Sequence, residues 1–432
     1  MTLSSTNVTR TARTLLRSPS LPTYTSYSAV VTLNVIGGVL VSRQLGPDGR
    51  GILAAYTQPA TAVPVLLDLG LSSATVFFAS QGRLTPRHSV TILLLPTFAL
   101  ALAGSGITAL IVLANPHSAS IPALVLVALL TFLTICARPL LALLKAYRSG
   151  WGFLVTSVSI PVIYISTLAF LLLTHRTISL VSVVGSSVLA SLAALFVALS
   201  RVVHLHRRRP TENEPVSSRQ LFTYGVKAHL GTIAPIDGLQ VDLFVAVFLL
   251  SPTSAGIYAV SVSAALLIRV QGAGLSAVLF PKFAAGAVPA DQRLRQSLLA
   301  SGVILGIAPA LTPPLQQLIV FAYGRDFQPA PSLLLTLLIA ASLSVVRLIL
   351  SDFLRSLSRP EYPTVIEIVT VLFFASVAML LRDSCTDLRI ATLLLMSQLA
   401  ATVAAFICAA RLSRTKHVEL DCATSPRSLQ DG

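Results

Sequence analysis

An all-α integral membrane fold is predicted: about twelve transmembrane helices in two six-helix lobes, related by a parallel pseudo-repeat, with a central cavity between them. Three observations predict it. The first is composition. The 432 residues are 54% hydrophobic and 11% charged, and the mean hydropathy is +0.81. Soluble domains carry about 25% charged residues. Apolar runs of roughly 20 residues recur along the chain, each long enough to cross a bilayer as a helix. Backbone facing lipid must bond to itself, so these runs are helices. The second observation is the placement of Lys and Arg between the runs. The third is a faint internal repeat.

The formal charge of +15 could point to nucleic acid, but the basic residues are dispersed between apolar spans, which excludes that partner. Cys136 and Cys408 lie in apolar spans, Cys385 in a short loop and Cys422 in the tail. They have no metal-ligand spacing and imply no disulfide framework. Residues 1–20 hold Arg10, Arg13 and Arg17 without an apolar run. They read as a basic cytoplasmic lead, not a cleaved signal peptide.

Taken in order, the first span runs near Tyr27–Val41 and ends at Arg43 and the loop Gly46–Gly51. The second covers Ile52–Ser80 and contains Asp68, Leu69 and Gly70. The third is Val90–Ala114. The fourth, Ile121–Tyr147, holds Arg138 and Pro139. The fifth and sixth are Phe153–Thr174 and Ile178–Val203. Next comes the most hydrophilic stretch, His204–Arg219, with Arg207, Arg208 and Arg209. Its Arg run is read as a topology signal. The seventh and eighth spans are Leu221–Leu250 and Ile257–Phe283. The ninth, Ser297–Tyr323, contains Pro309 and the pair Pro313 and Pro314, which predict a kink or interruption. The tenth is Ser332–Leu354, with Arg347 and Asp352. The eleventh is Pro363–Leu381, with Glu367, and the twelfth Ile390–Ala410. From Arg411 the tail is polar and expected to be mobile.

With the N-terminus inside, the cytoplasmic loops receive Arg83/Arg87, Lys145/Arg148, Arg207–Arg209, Lys282/Arg293/Arg295, Arg355/Arg359 and Arg411/Arg414/Lys416. The outside receives Arg43, Arg50, Arg176, Arg325, Arg382 and Arg389, several beside an acid. This bias puts both termini in the cytoplasm of a multi-pass protein of the cell (inner) membrane. The predicted organisation is a cytoplasmic N-terminal segment (1–20), a first lobe of six spans (21–203), a cytoplasmic linker (204–220), a second lobe (221–411) and a cytoplasmic tail (412–432). Six spans per half give both halves the same orientation, so their axis should run along the membrane normal.

The repeat centres on Leu221–Phe283, where two apolar segments flank SPTSAG at Ser251–Gly256. About 205 residues earlier, GPDGRG at Gly46–Gly51 is also followed by Ile. Gly70-Leu-Ser then matches Gly274-Leu-Ser one residue out of phase.

Ionisable groups inside spans are functional candidates. At about 1.5 Å per residue, Arg138, Lys227 and Arg347 each lie roughly 10–12 Å from the inner end of their spans, and Arg269 about 18 Å from its outer end. Snorkelling to the headgroups is the bland alternative for the first three. A shared cationic layer suits a polyanion, because Arg matches phosphate oxygens as a planar fork and Lys as a point charge. These four are the candidate pyrophosphate-binding residues. Asp68, His229, Asp237 and Asp242 are candidates for coupling to H⁺ or Na⁺, or for structural charge pairing. No other cofactor is expected.

Several runs, in order along the chain, resemble one family. They are RQLGPDGRG from Arg43, DLGLS from Asp68, DLFVAVF from Asp242, SPTSAG with Ile257-Tyr-Ala, Phe280-Pro281, YGRDF from Tyr323 and LSRP from Leu357. They look like the multidrug/oligosaccharidyl-lipid/polysaccharide exporter superfamily, in its polysaccharide-biosynthesis, O-antigen-flippase-like branch. The resemblance implies two six-helix lobes, a central cavity and alternating access. It implies as substrate an undecaprenyl-pyrophosphate glycan moved from the inner to the outer leaflet, with basic cavity residues for the pyrophosphate. Expected partners are that lipid-linked glycan, membrane lipids and glycan-assembly enzymes. The lipid II flippase branch often has two further C-terminal spans; their lack here favours the polysaccharide branch.

Three rivals are weighed. A multidrug cation antiporter of the same superfamily needs acids and aromatics in its cavity, yet aromatics are only 6%. A membrane glycosyltransferase or polymerase needs an acidic catalytic site, and no acidic pair or metal motif lies outside the spans, so no enzyme is expected. A non-transporting scaffold has no use for so many intramembrane charges.

Overall fold

The computed structural model describes residues 21–424 except 82, 85, 116–119, 148–149, 176, 207–215, 233–238, 285–289, 358 and 360. Among them there are helices and no strand. The α-helices are α1 (Leu21–Leu66), α2 (Leu71–Ser80), α3 (Pro86–Leu113), α4 (Ile121–Ala146), α5 (Gly150–His175), α6 (Leu180–His206) and α7 (Ser218–Thr232). They continue with α8 (Val241–Leu249), α9 (Pro252–Ala284), α10 (Ala290–Tyr323), α11 (Ala330–Ser356), α12 (Glu361–Leu380) and α13 (Asp387–Thr424). Ten helices among the described residues are long and apolar enough to cross a membrane. Large apolar side chains such as Leu173, Phe321 and Leu380 point outward. Outside a bilayer so much exposed apolar surface would be an aggregation liability; inside one it is the lipid face.

The ten helices and the twelve expected spans reconcile at two places. At 46 residues α1 would be about 69 Å long if straight, more than twice the apolar thickness of a bilayer. It is not straight: Gly46 has φ 67° and ψ −177°, and it divides α1 into two arms, each of spanning length. The expected loop Gly46–Gly51 therefore shrinks to one non-helical residue. Pro47 supplies the reason, since its fixed φ suits the first position of the next helix. The second place is the seventh span, which is divided between α7 and α8.

Other boundaries differ from expectation. The second span is broken at 67–70, where Leu69 (φ 44°) and Gly70 (φ 71°) are left-handed. Of the predicted kink or interruption in the ninth span, the interruption does not occur: α10 is one helix through Pro309, Pro313 and Pro314. All three prolines sit on its exposed face. There a proline forfeits one backbone bond and bends the helix without ending it. The polar tail is helical to Thr424, not irregular from Arg411. Its residues from Arg411 onward are mostly competent helix formers, and the first breaker is Pro426. The N-terminal segment 1–20 and most of the charged linker lie outside the described residues.

In the second half α11 is the central helix, packed among α9, α10 and α13 and buried along most of its length. Its apolar core includes Tyr258, Phe327, Leu334, Leu338 and Phe374. In the first half α4 packs against α3 and α6, and the second arm of α1 joins it through Leu53, Tyr56 and Ala60.

The two halves meet where the repeat lies. A Cβ on Gly51 would overlap the carbonyl oxygen of Pro252, and one on Gly256 would overlap that of Pro47. Thr253 donates a hydrogen bond to Asp48, 205 positions earlier. Pro47/Pro252, Asp48/Thr253 and Gly51/Gly256 are all separated by that same interval. Repeat mates touch each other reciprocally only where the axis relating two copies passes between them. The weak sequence repeat is thus a geometric one, centred on this glycine crossing. Close by, Arg43 donates to the carbonyls of Ala322 (2.5 Å) and Phe321 (2.7 Å), covering the C-terminal end of α10.

Candidate functional site

The break in the second span organises the inner part of the interface between the halves. A helix that stops inside a bilayer leaves carbonyls at its end without partners. At the end of α1 these are met by side-chain donors from both halves. Arg138 on α4 donates from Nη1 to the Pro64 carbonyl at 2.9 Å. His229 on α7 lies with Nε2 3.1 Å from the Leu66 carbonyl, in the tautomer that donates from that nitrogen. The Arg138 charge at the helix C-terminus also complements its dipole. The start of α2 is served by an acid. Asp68 accepts from the Ser72 hydroxyl at 2.6 Å and from the Ser72 amide at 3.3 Å, and it lies in electrostatic range of Arg138.

Glycine makes this arrangement fit. A Cβ on Gly70 would overlap the Gly225 carbonyl of α7, and its φ of 71° is left-handed. Leu69, with φ 44°, holds a conformation that costs a non-glycine residue about 1–3 kcal/mol. Such strain gathers at functional breaks. Arg138, Asp68 and His229 are thereby brought together from three separated segments. Lys227 is exposed on the same helix as His229, two residues earlier and so on another face.

The second half places its candidates differently. Arg138 and Arg347 stand at the same step of corresponding helices, 17 residues after Ile121 and Ala330. Their surroundings are unlike. Arg138 is half-buried at the interface, whereas Arg347 is 1% exposed inside the second half. There it is ion-paired with Glu367 of α12 and donates from Nε to Gln398 of α13 at 3.2 Å. Arg347 thus differs from Arg138 in having a carboxylate neighbour of its own. A guanidinium at that depth needs a resident anion, and Glu367 is it.

Asp242, near the start of α8, is fully buried and accepts from the Tyr258 hydroxyl at 3.2 Å. Arg269, further along α9, is half-buried and within electrostatic range of Tyr258. Asp237 lies outside the described residues.

Sequence reasoning passed over two amides that bridge the halves. Gln58, on the second arm of α1, donates to the Leu239 carbonyl at 2.9 Å. Asn115 donates to the Val247 carbonyl at 3.0 Å. An amide inside or at the end of an apolar span was the available signal, since side-chain amides bond across membrane helices. Gln58→Leu should cost about 1–3 kcal/mol, because it leaves a buried carbonyl without its donor. Thermal melting of the purified variant beside wild type checks this.

An apolar cavity of about 310 Å³ lies between the halves, lined by Ile111 and Ala114 on one side and Phe244, Phe248 and Met379 on the other. Among the described residues, none of the candidate charged side chains lines it.

A family model described as "Polysaccharide biosynthesis protein" matches residues 22–286. Among solved structures, an inward-facing multidrug resistance MATE family transporter of the MOP superfamily superposes with a TM-score of 0.66 at 14% identity, covering 89% of this chain and 95% of that one. An outward-facing structure of such a transporter gives 0.65 at 13%, covering 92% and 94%. The lipid II flippase MurJ, in an inward closed conformation, gives 0.65 at 15%, covering 90% and 87%. At these identities the likeness is one of fold. No curated protein sequence matches.

Proposed function

The chain belongs to the polysaccharide biosynthesis protein family, and from that premise we propose that it is a membrane transporter for a polyprenyl-pyrophosphate oligosaccharide or polysaccharide precursor. It moves this lipid from the inner to the outer leaflet by alternating access. The observation that carries the reading is the convergence of Arg138 and His229, from opposite halves, on the broken second span. The Arg138 guanidinium has five N–H donors, of which Nη1 is engaged by the Pro64 carbonyl, and with Asp68 near it this group suits an anionic ligand. A pyrophosphate between sugar and lipid is such a ligand, and Arg binds its oxygens in pairs.

Arg138, Lys227 and Arg269 are the proposed first contacts of the pyrophosphate, with Arg347 held in reserve by Glu367. Asp68, Asp237 and Asp242 are the proposed coupling or pairing acids, with His229 beside them. H⁺ or Na⁺ is the proposed coupling ion. The positive-inside bias supports a cell-membrane location with both termini cytoplasmic. Glycan-assembly enzymes are the proposed protein neighbours. The fold likeness to multidrug MATE transporters favours a second reading, export of an organic cation.

Ligand stabilisation separates the two, since whatever binds the folded state raises its melting temperature. In detergent, a polyprenyl-pyrophosphate sugar should raise the melting temperature of the full chain and an organic cation should not. The reverse pattern would replace the first reading with the second.

A further inference from the structure

The ion pair at Arg347 is built differently from its counterpart in the first half. Glu367 is 5% exposed. Its Oε1 faces the Arg347 guanidinium, while its Oε2 is buried and has no hydrogen-bond partner among the described residues. An ionised carboxylate oxygen without a donor is unfavourable in a dry interior. The charge on Arg347 is permanent, so the burden of any change falls on the acid. In the first half, α5 occupies the place that α12 has in the second, and its sequence from Gly150 to His175 contains no acid. One arginine of the matched pair thus carries an acid on the neighbouring helix, and the other does not.

This asymmetry has a chemical consequence. A ligand phosphate can reach Arg138 as an additional partner. It can reach Arg347 only by replacing Glu367, because two carboxylate-like anions at one buried guanidinium repel each other. The displaced carboxylate would be a bare charge at that depth unless neutralised.

We infer that Glu367 is an exchangeable counter-ion and a proton-binding site: when an anionic ligand oxygen takes its place on Arg347, Glu367 takes up one proton. The proposal rests on the polyanion reading above and names its coupling. The proton comes from water on the open side and adds to the carboxylate; no other bond changes. Binding of the ligand and of H⁺ are therefore linked.

The charged groups on the elements packed against α12 are few. Helix α11 brings Arg347, with Asp352 and Arg355 one to two turns nearer its end. Helix α13 brings Gln398 and no charged side chain between Arg389 and Arg411. Helix α7 carries Arg219, Lys227 and His229, and α8 carries Asp242. The short turn at Arg382–Ser384, beyond the far end of α12, adds Arg382 and Asp383.

The sign follows from linkage. Ligand raises the proton affinity of Glu367, so ligand binds more tightly at low pH. That advantage fades as pH rises through the ligand-bound titration. The test uses the purified full chain in weakly buffered detergent with a pH indicator. The probe is a polyprenyl-pyrophosphate sugar, whose doubly esterified pyrophosphate does not titrate near neutral pH. Wild type should take up close to one proton per ligand bound, and its affinity should weaken by up to about tenfold per pH unit across the linked range. Glu367→Gln should bind with little uptake and an affinity flat with pH. Binding without uptake by wild type overturns the inference and leaves the transport reading intact, whether or not the variant folds. Equal uptake by Glu367→Gln moves the proton to another group and also overturns it. Absence of any binding overturns both.

Discussion

Glu367→Ala is expected to destabilise the folded chain by about 3–5 kcal/mol, the cost of leaving one member of a buried ion pair uncompensated. Arg347 cannot escape by losing its proton. Nor does a path to the headgroups open easily, since it is 1% exposed and packed within α11, α12 and α13. Gln398 still accepts from its Nε, but a neutral amide does not balance a full charge. Replacing both partners with apolar residues of similar size, Arg347→Met with Glu367→Leu, should restore most of the stability. Thermal melting in detergent reads both. A single variant that melts like wild type, or a double variant that melts as low as the single one, contradicts the pairing. Because the pair is also the proposed proton site, the double variant should be stable and lack pH-dependent ligand binding.

The second large effect is expected at the glycine crossing. Gly51→Val places a branched side chain against backbone atoms: the Pro252 carbonyl and, at 3.0 Å from the first added carbon, the Gly256 amide nitrogen. A flexible side chain could swing away, but backbone cannot. The two halves must separate at this end, at a cost of about 1–3 kcal/mol or more for overpacking. The hydrogen bond from Thr253 to Asp48 should be lost with it. Gly106→Val is the matched control, since a Cβ there meets nothing within 4 Å. Melting temperatures, and thiol labelling of Asp48→Cys with and without Gly51→Val, read the separation. Equal labelling would mean that the crossing does not hold the halves together.

Much of this architecture was legible in the residues. The twelve spans follow from runs of apolar residues, because a bilayer admits few other solutions. GPDGRG and SPTSAG, similar by only a few letters, mark the crossing because close backbone approach leaves little choice but glycine at Gly51 and Gly256. The break at Asp68-Leu-Gly70 was not expected, although an acid and a glycine inside an apolar run were the available signal. The partnerships were not legible. Nothing in the spacing of Arg138 and Arg347 says that one meets a backbone carbonyl while the other meets Glu367. That difference is made by which helix packs alongside, over long separations in sequence. The continuity of α10 through three prolines was hidden for a similar reason: the exposed face on which they fall is set by packing. The amides of Gln58 and Asn115 were overlooked because charge draws attention that an uncharged group does not.

Leaflet transfer by Arg138 tests the central claim most directly. Purified protein is reconstituted in vesicles with a fluorescent polyprenyl-pyrophosphate sugar in the inner leaflet, and its arrival outside is followed by quenching. The account predicts protein-dependent transfer, slowed by at least about tenfold in Arg138→Ala, the loss expected for a charge-assisted hydrogen bond. Transfer no faster than in protein-free vesicles, or equal rates for Arg138→Ala and wild type, would contradict it.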